Sequence, residues 1–311
     1  MADIITITLN PAIDKTYVVD DLVPEHKLRC GNPVVEAGGG GINVSKGLKE
    51  LGSSSLAVFF AGGRNGEHLH EMLEHEKIEC RLIPIDGETR ESLVIIDQSS
   101  KKEFRIVVEG PSIDISAFQE IIKLVENEKP SWIIASGSLP KGLPNDVYAK
   151  LAKTAKSSGS KLILDTSGEA LEAALTEGVY LMKPNLKELS SLSGVESLEP
   201  GEVSEAAKKL ILAGKAEVIV VSMSSAGAVV VTGDKHHHFS SPEVEQKSTV
   251  GAGDSMVSGM VWALQQNKSL EETVCWGIAC GSAATMNTGT QLFKKRDVEN
   301  LFALIREKVN I

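Results

Sequence analysis

The residues best suited to chemistry stand in the run Gly251-Ala252-Gly253-Asp254-Ser255, with the helix-forming stretch Met256 to Trp262 behind it. Flexible residues before a helix N-terminus let successive backbone N–H groups converge on an anion, and the helix dipole favours negative charge there. Such a place suits a phosphate in transfer. A carboxylate beside those amides can take the proton of an attacking hydroxyl, so Asp254 is the candidate general base. The same position suits a helix N-cap, and the motif alone does not separate the two roles.

A second glycine run, Gly38-Gly39-Gly40-Gly41, is followed by Ile42 and Asn43. It allows close approach of backbone to a ligand, and Asn43 offers both donor and acceptor to sugar hydroxyls. A dinucleotide fingerprint would need glycine where Asn43 stands. The nearest phosphate-loop spacing, Gly47 to Gly52, is followed by Ser53 instead of lysine.

Lys183-Pro184-Asn185-Leu186-Lys187-Glu188 reads as the end of a strand and the start of a helix. Asn185 and Glu188, three apart, share one face of the first turn. They suit a capping box, and equally they suit Mg²⁺ and its waters with Lys183 toward nucleotide phosphates. Lys27, Arg29, Arg90 and Arg105 are the basic residues that, gathered at a cleft, would hold a substrate already carrying phosphate. Singly, each is an ordinary surface charge. Asp14 suits either sugar hydroxyls or turn chemistry. Ser136-Gly137-Ser138 lacks the GxSxG pattern of a serine hydrolase, which leaves Ser138 free for a sugar phosphate. His236, His237 and His238 alternate across a strand, so they read as exposed hairpin residues and not as converging metal ligands.

The elements that must position these groups follow an α/β rhythm. Ile5 to Leu9 alternates with period two, as a strand does, and Ile42 to Leu51 has the apolar spacing of a helix that starts beyond the glycines. Beyond Pro111, apolar runs at Ser131–Ser136, Lys161–Asp165, Tyr180–Lys183 and Val218–Ser222 alternate with helical stretches, which predicts a largely parallel sheet. Helices from about Ser255, Leu270 and Lys295 close the chain. Residues 15–35 and 91–108 break the rhythm. The second of these reads as a hairpin, Ser92–Asp97 and Glu103–Val108, and together they predict a small β lid over the carboxyl end of the sheet. No linker divides the 311 residues, so one domain with a lid is expected.

A net charge of -10 argues against nucleic-acid and acidic-membrane partners. The four cysteines, Cys30, Cys80, Cys275 and Cys280, have no CxxC spacing, and the N-terminus lacks the pattern of a signal peptide. A cytoplasmic protein with reduced thiols is the expectation.

Taken together, GGGGINV from Gly38, KPNLKEL from Lys183 and STVGAGDSMVSGM from Ser248 make the chain resemble the ribokinase-like, or phosphofructokinase B, sugar kinases along essentially its whole length. The resemblance implies ATP and Mg²⁺ as cofactors, with Asp254 as base and the amides of Gly251, Ala252 and Gly253 as an anion hole. It places Ser222, Ser224, Gly227 and Asn287 beside the nucleotide with Lys183 and Asn185. Asp14, Lys27, Gly39, Gly40, Asn43, Arg90, Arg105 and Ser138 would hold the sugar phosphate. Ser248, Val250, Ala284, Asn287 and Gly289 are implied as a monovalent-cation site, K⁺ being the ion.

Within the family, EHKLRC, GEHL and DTSGEAL are similar to the branch that phosphorylates ketohexose phosphates. Tagatose-6-phosphate and fructose-1-phosphate kinases usually carry a lysine in the first glycine run, where this chain has Gly40. The expected reaction is ATP-dependent phosphorylation of fructose 6-phosphate or tagatose 6-phosphate at O1. Fructose 1-phosphate, phosphorylated at O6, is the alternative. A homodimer through lid edges is the expected partner arrangement. A non-catalytic sugar-phosphate sensor and an NAD-dependent oxidoreductase compete. Asp254, the glycines and Glu188 together argue against the sensor, and Asn43 against the oxidoreductase.

Overall fold

The computed structural model describes residues 2–309, which form two sheets. The larger holds nine strands in the order β13-β12-β11-β10-β9-β8-β1-β4-β5. Its parallel part runs from β5 (Cys80–Pro84) through β4 (Leu56–Ala61), β1 (Ile4–Thr8), β8 (Trp132–Ser136), β9 (Lys161–Asp165) and β10 (Val179–Met182) to β11 (Ala216–Ser222). Antiparallel β12 (Ala228–Val231) and β13 (His236–Phe239) complete that edge. The smaller sheet, ordered β3-β2-β6-β7, is built from β2 (Ala12–Val19), β3 (Val34–Gly38), β6 (Arg90–Asp97) and β7 (Lys102–Val107).

Strand alternation sorts the core into two layers. Ile5, Ile7, Ile133 and Ala135 point to one face, where they pack against α3 (Ile115–Glu128), α4 (Val147–Ser158), α5 (Gly168–Glu177) and α7 (Val203–Leu212). Ile4, Ile134, Ile163 and Leu181 point to the other, against α1 (Gly40–Glu50), α8 (Ala252–Gln265), α9 (Leu270–Thr285) and α10 (Lys295–Val309). Thr6, fully buried among them, is satisfied through Ser45 at 2.7 Å, which bonds Ser55 at 2.8 Å. A third cluster under α2 (Gly63–His75), with Ile13, Ala37, Phe59 and Leu69, ties the small sheet to the large one.

Strand order reverses between β1 and β8, since β4 lies on one side of β1 and β8 on the other. In open α/β sheets such a switch point leaves a crevice at the carboxyl ends of the strands. Thr8, Ser136, Asp165 and Ser222 all stand at those ends.

Several elements depart from expectation. Helix α1 begins at Gly40, inside the glycine run, because its N-terminus abuts β1: a Cβ on Gly41 would stand 2.6 Å from Ile7 O, while Thr8 Oγ1 accepts from Ile42 N–H at 2.9 Å. First-turn N–H groups are unbonded within the helix anyway, so glycine costs least there. Helix α8 begins at Ala252 and so takes in residues predicted as loop. In the first irregular segment the strands are Ala12–Val19 and Val34–Gly38, while residues 20–33 form no strand. His236, His237 and His238 are exposed on β13, with His238 Nε2 2.7 Å from Ala226 O. Among the described residues no cluster suited to a metal ion forms from three or more His, Cys, Asp or Glu, and no helix is long and apolar enough to cross a membrane.

Candidate active site

Two helix N-termini meet above the switch point. Gly251 caps α8 with φ at 70°, a left-handed conformation natural to glycine, and Gly39 precedes α1 with φ at 120°. Asp254 lies in the first turn of α8. Its Oδ2 accepts from Asn43 Nδ2 on α1 at 2.9 Å, and its Oδ1 accepts from Ser136 Oγ at the end of β8 at 3.2 Å. Partial enclosure raises the Asp254 carboxyl pKa, and the Asp165 carboxylate adds in the same direction; Asn43, Lys183 and Ser136 oppose. The result is a carboxylate held in place and made more basic than a surface aspartate.

The backbone N–H groups of Gly251 and Gly253 have no bonded partner among the described residues, whereas that of Ala252 leans on Thr249 O at a long 3.4 Å. The free donors are therefore those of the two glycines and of Asp254. Replacing Gly251 by alanine is expected to cost roughly 1–2 kcal/mol for the left-handed backbone alone. A Cβ there would also stand 2.9 Å from Leu292 Cδ2. Lower turnover together with a lower melting temperature is the outcome to look for.

Lys183 follows β10 and is buried. Its Nζ pairs with Asp165 Oδ1 at 3.1 Å, and it lies 3.6 Å from where a Cβ on Gly253 would stand. Burial by itself disfavours its ammonium form, yet the Asp165 carboxylate more than offsets this, and the lysine pKa ends above its usual value. Asp165 was not singled out from sequence. Its signal was available, as an acidic residue closing an apolar strand one turn before a helix.

Asn185 and Glu188 form the capping box of α6 (Leu186–Leu192): Asn185 Oδ1 accepts from Glu188 N–H and Glu188 Oε2 from Asn185 N–H, both at 2.9 Å. Ser222, beside Asn185 in an isolated bridge, turns its Oγ toward Pro184 O at 3.5 Å. Ser224 opens a short turn with φ at 52°. Gly227, with φ at 93°, sits so close to Phe239 O that a Cβ would overlap it at 1.9 Å. Next to α6 a cleft of about 290 Å³ is lined in part by Ser167, Gly168, Asn185, Lys187 and Glu188.

On the opposite side, Asp14 lies on β2, not in a turn, with its carboxylate over Gly38: a Cβ on Gly38 would stand 2.0 Å from Asp14 Oδ2. Desolvation pushes its pKa up to about 6, against the pull of the Arg90 guanidinium. Arg90 donates to three backbone carbonyls, those of Asn10 at 2.9 Å, Val108 at 3.1 Å and Pro11 at 3.4 Å. It clamps the segments that join the two sheets. Ser138 accepts from Asn10 Nδ2 at 3.0 Å. Arg105 Nη2 reaches Thr249 Oγ1 at 2.8 Å. Lys27 is exposed on the segment after β2 and forms no hydrogen bond or ion pair among the described residues. Arg29 is exposed on the same segment.

Ser248, Val250, Ala284 and Asn287 lie where the loop before α8 crosses the end of α9, and Gly289, two residues on, packs against Thr16 of β2. Ser248 N–H bonds Thr285 O at 3.3 Å, Val250 N–H bonds Ser248 Oγ at 3.2 Å and Asn287 N–H bonds Ala284 O at 3.1 Å. Asn287 Nδ2 is taken by Leu292 O at 2.7 Å and Ala283 O at 3.3 Å, so what its side chain still offers a ligand is the oxygen.

A switch-point crevice with free amides, a carboxylate of raised pKa and a buried lysine fits phosphoryl transfer, and the relatives that follow are phosphotransferases with an alcohol group as acceptor. The model of the pfkB family carbohydrate kinases matches residues 4–296, and the chain belongs to that family. The ATP-dependent 6-phosphofructokinase isozyme 2 of Escherichia coli K12 is 40% identical over 98% of this chain and 99% of its own. The 1-phosphofructokinase of Bacillus subtilis is 33% identical over 93% and 95%. Among solved structures, phosphofructokinase-2 from Escherichia coli in complex with potassium matches with a TM-score of 0.94, at 40% identity, over 98% of this chain and 99% of that one. The fold is accordingly ribokinase-like.

Proposed function

We propose that the chain transfers the γ-phosphoryl group of ATP to O1 of fructose 6-phosphate or tagatose 6-phosphate, forming the bisphosphate. The observation that carries this is the Asp254 carboxylate, made basic by its surroundings, pinned by Asn43 and Ser136, and set beside the free amides that open α8. Asp254 accepts the proton of the attacking hydroxyl, and the Gly251 and Gly253 amides hold the charge that develops on the phosphoryl oxygens. Lys183 faces the same phosphate from β10, and Ser222, Ser224 and Gly227 line the nucleotide side. Asp14, Asn43, Ser138, Arg90 and Arg105 receive the sugar phosphate.

Mg²⁺ would be held beside Asn185 and Glu188. One Glu188 oxygen is spent on the helix cap and the other is free, which fits an ion bound mostly through water and phosphate. When bound it neutralises charge between the transferring phosphates. The residues gathered at the end of α9 suit K⁺, since a helix C-terminus carries partial negative charge.

Gly40 favours fructose 6-phosphate over tagatose 6-phosphate and fructose 1-phosphate, whose kinases usually carry a lysine in the glycine run. A Cβ on Gly40 would stand 2.2 Å from Ser136 Oγ and 2.9 Å from Gly137 N, so a lysine has no room here. Fructose 1-phosphate, phosphorylated at O6, is the second reading, favoured by the similarity to a 1-phosphofructokinase. Coupled ADP release across the three ketohexose phosphates decides between them. ADP with none of the three would defeat the kinase reading in favour of a sensor.

Asp14 gives this reading a pH signature. Its raised pKa means that the folded chain holds the proton that the unfolded chain has lost between about pH 4 and 6. Its contribution to stability is therefore present below pH 4 and lost as pH rises through 6. Binding hydroxyls through the carboxylate requires the opposite, ionised form. The KM for the sugar phosphate is expected to rise several-fold between about pH 7.5 and 5.5, and Asp14→Asn to flatten that rise on top of a weaker baseline. An equally steep profile in the variant would exclude Asp14 as the titrating group.

The small sheet acts as a lid and as a dimer surface in this proposal. On its edge strand β7, Phe104 and Ile106 share one face and are 41% and 48% exposed, while Val107 on the other face is 67% exposed, apolar surface of the kind a partner covers. Light scattering is expected to give twice the chain mass, and Val107→Lys to shift it toward the monomer.

A further inference from the structure

The loop that leads into α8 is gripped by the small sheet, and a residue with no role in the reaction above does the gripping. On β7, Glu103 Oε2 accepts from Ser248 Oγ at 3.2 Å, and Ser248 Oγ itself accepts from Val250 N–H at 3.2 Å. Val250 immediately precedes Gly251, whose amide is one of the free donors. Arg105, two residues along the same strand, divides its Nη2 between Glu103 Oε2 at 3.3 Å and Thr249 Oγ1 at 2.8 Å. Strands β2 and β3 reach the neighbouring loop as well: Glu36 accepts from Thr290 Oγ1, and Thr16 packs on Gly289.

The Glu103 side chain is only 16% exposed, and its Oε1 is buried without a hydrogen-bond partner among the described residues. A carboxylate oxygen kept from water and unpaired is costly, and an anion near a phosphate site repels substrate. A glutamine of the same shape would avoid the charge, and a surface residue would avoid both. What Glu103 supplies at that cost is an acceptor that sets the Ser248 hydroxyl, and with it the backbone one residue before the amide cluster. The contact exists only while the small sheet rests on the loop.

We propose that Glu103 is a positioning residue that couples the seating of the small sheet to the aim of the α8 amides, by way of Ser248 and Val250. The proposal rests on the kinase reading. Arg105 is held at the mouth of the site by the same carboxylate, so the group expected to meet the sugar phosphate and the group that aligns the amides share one anchor. Loss of alignment shows in turnover rather than in nucleotide affinity, because misaimed amides act on the transition state.

The test is steady-state kinetics with ATP and fructose 6-phosphate, with thermal melts, for the full chain and for Glu103→Ala, Glu103→Gln, Ser248→Ala and the Glu103→Ala/Ser248→Ala double variant. Expected is a drop in kcat of roughly tenfold for Glu103→Ala, the size of one lost charge-assisted hydrogen bond, with KM for ATP and the melting midpoint nearly unchanged. Glu103→Gln keeps the acceptor and recovers most of the turnover. The double variant is expected to be no worse than the poorer single one, as for two residues acting through one bond. Wild-type turnover in Glu103→Ala, equal losses in the glutamine and alanine variants, or losses that multiply would each overturn the coupling. Wild-type turnover in Glu103→Ala would leave the kinase reading intact; an inactive full chain would overturn both.

Discussion

Asp254→Asn is expected to lower kcat by between about a hundredfold and ten-thousandfold, the range general-base catalysis supplies, while KM for both substrates changes little. Asparagine keeps the side chain's shape and an oxygen for Asn43 or Ser136, so binding geometry survives and only the proton acceptor is gone. Stability argues in the same direction. The carboxyl pKa is raised in the folded chain, so its favourable contribution belongs to low pH and is lost as pH rises through the folded value. At about pH 7.5 the neutral variant is therefore expected to melt no lower than the wild type. A variant that kept wild-type turnover would leave Asp254 as a helix-capping residue and nothing more.

Lys183→Met is the second large effect, and it strikes both stability and chemistry. Lys183 and Asp165 have side chains only 7% and 17% exposed, and removing one member of a buried pair leaves the other charged and unpaired. The loss is expected to be about 3 kcal/mol, visible as a fall of several degrees in the melting midpoint. Turnover is expected to fall too, because in the proposed reaction the ammonium beside Gly253 faces the transferring phosphate. The double variant Lys183→Met/Asp165→Leu separates the two effects. An apolar pair of similar volume is expected to restore most of the melting temperature and none of the activity. Recovery of activity in the double variant would show that Lys183 serves packing alone.

How much of this was legible in the sequence differs from residue to residue. Strand β9 was read at its true limits, Lys161–Asp165, because a short apolar run bounded by polar residues has few alternatives in an α/β chain. The start of α1 was misplaced, since glycine propensity argues against a helix at Gly40. What outweighs propensity is the close approach to Ile7 and the Thr8 hydroxyl, contacts between residues over thirty apart. Asn185 and Glu188 left capping and metal binding open, and the cap is formed with one Glu188 oxygen to spare, so the roles are compatible. Arg90 reads as a phosphate ligand, and its guanidinium also bonds three carbonyls at the junction of the sheets, which leaves an N–H on each of Nη1 and Nη2 for a ligand. Nothing local to Arg90 announces that arrangement.

The sequence by itself determined the class of chemistry and most of the elements. Glycine, aspartate and asparagine at such spacings have narrow uses, and strand and helix periods are local properties. Only the tertiary structure decided the state of Asp254. Asn43 and Ser136 lie 211 and 118 residues away from it along the chain, and Asp165 and Lys183 arrive from two other strands. A carboxylate becomes a base of the right strength through desolvation and neighbouring charge, and both belong to the folded crevice at the switch point, not to any one segment.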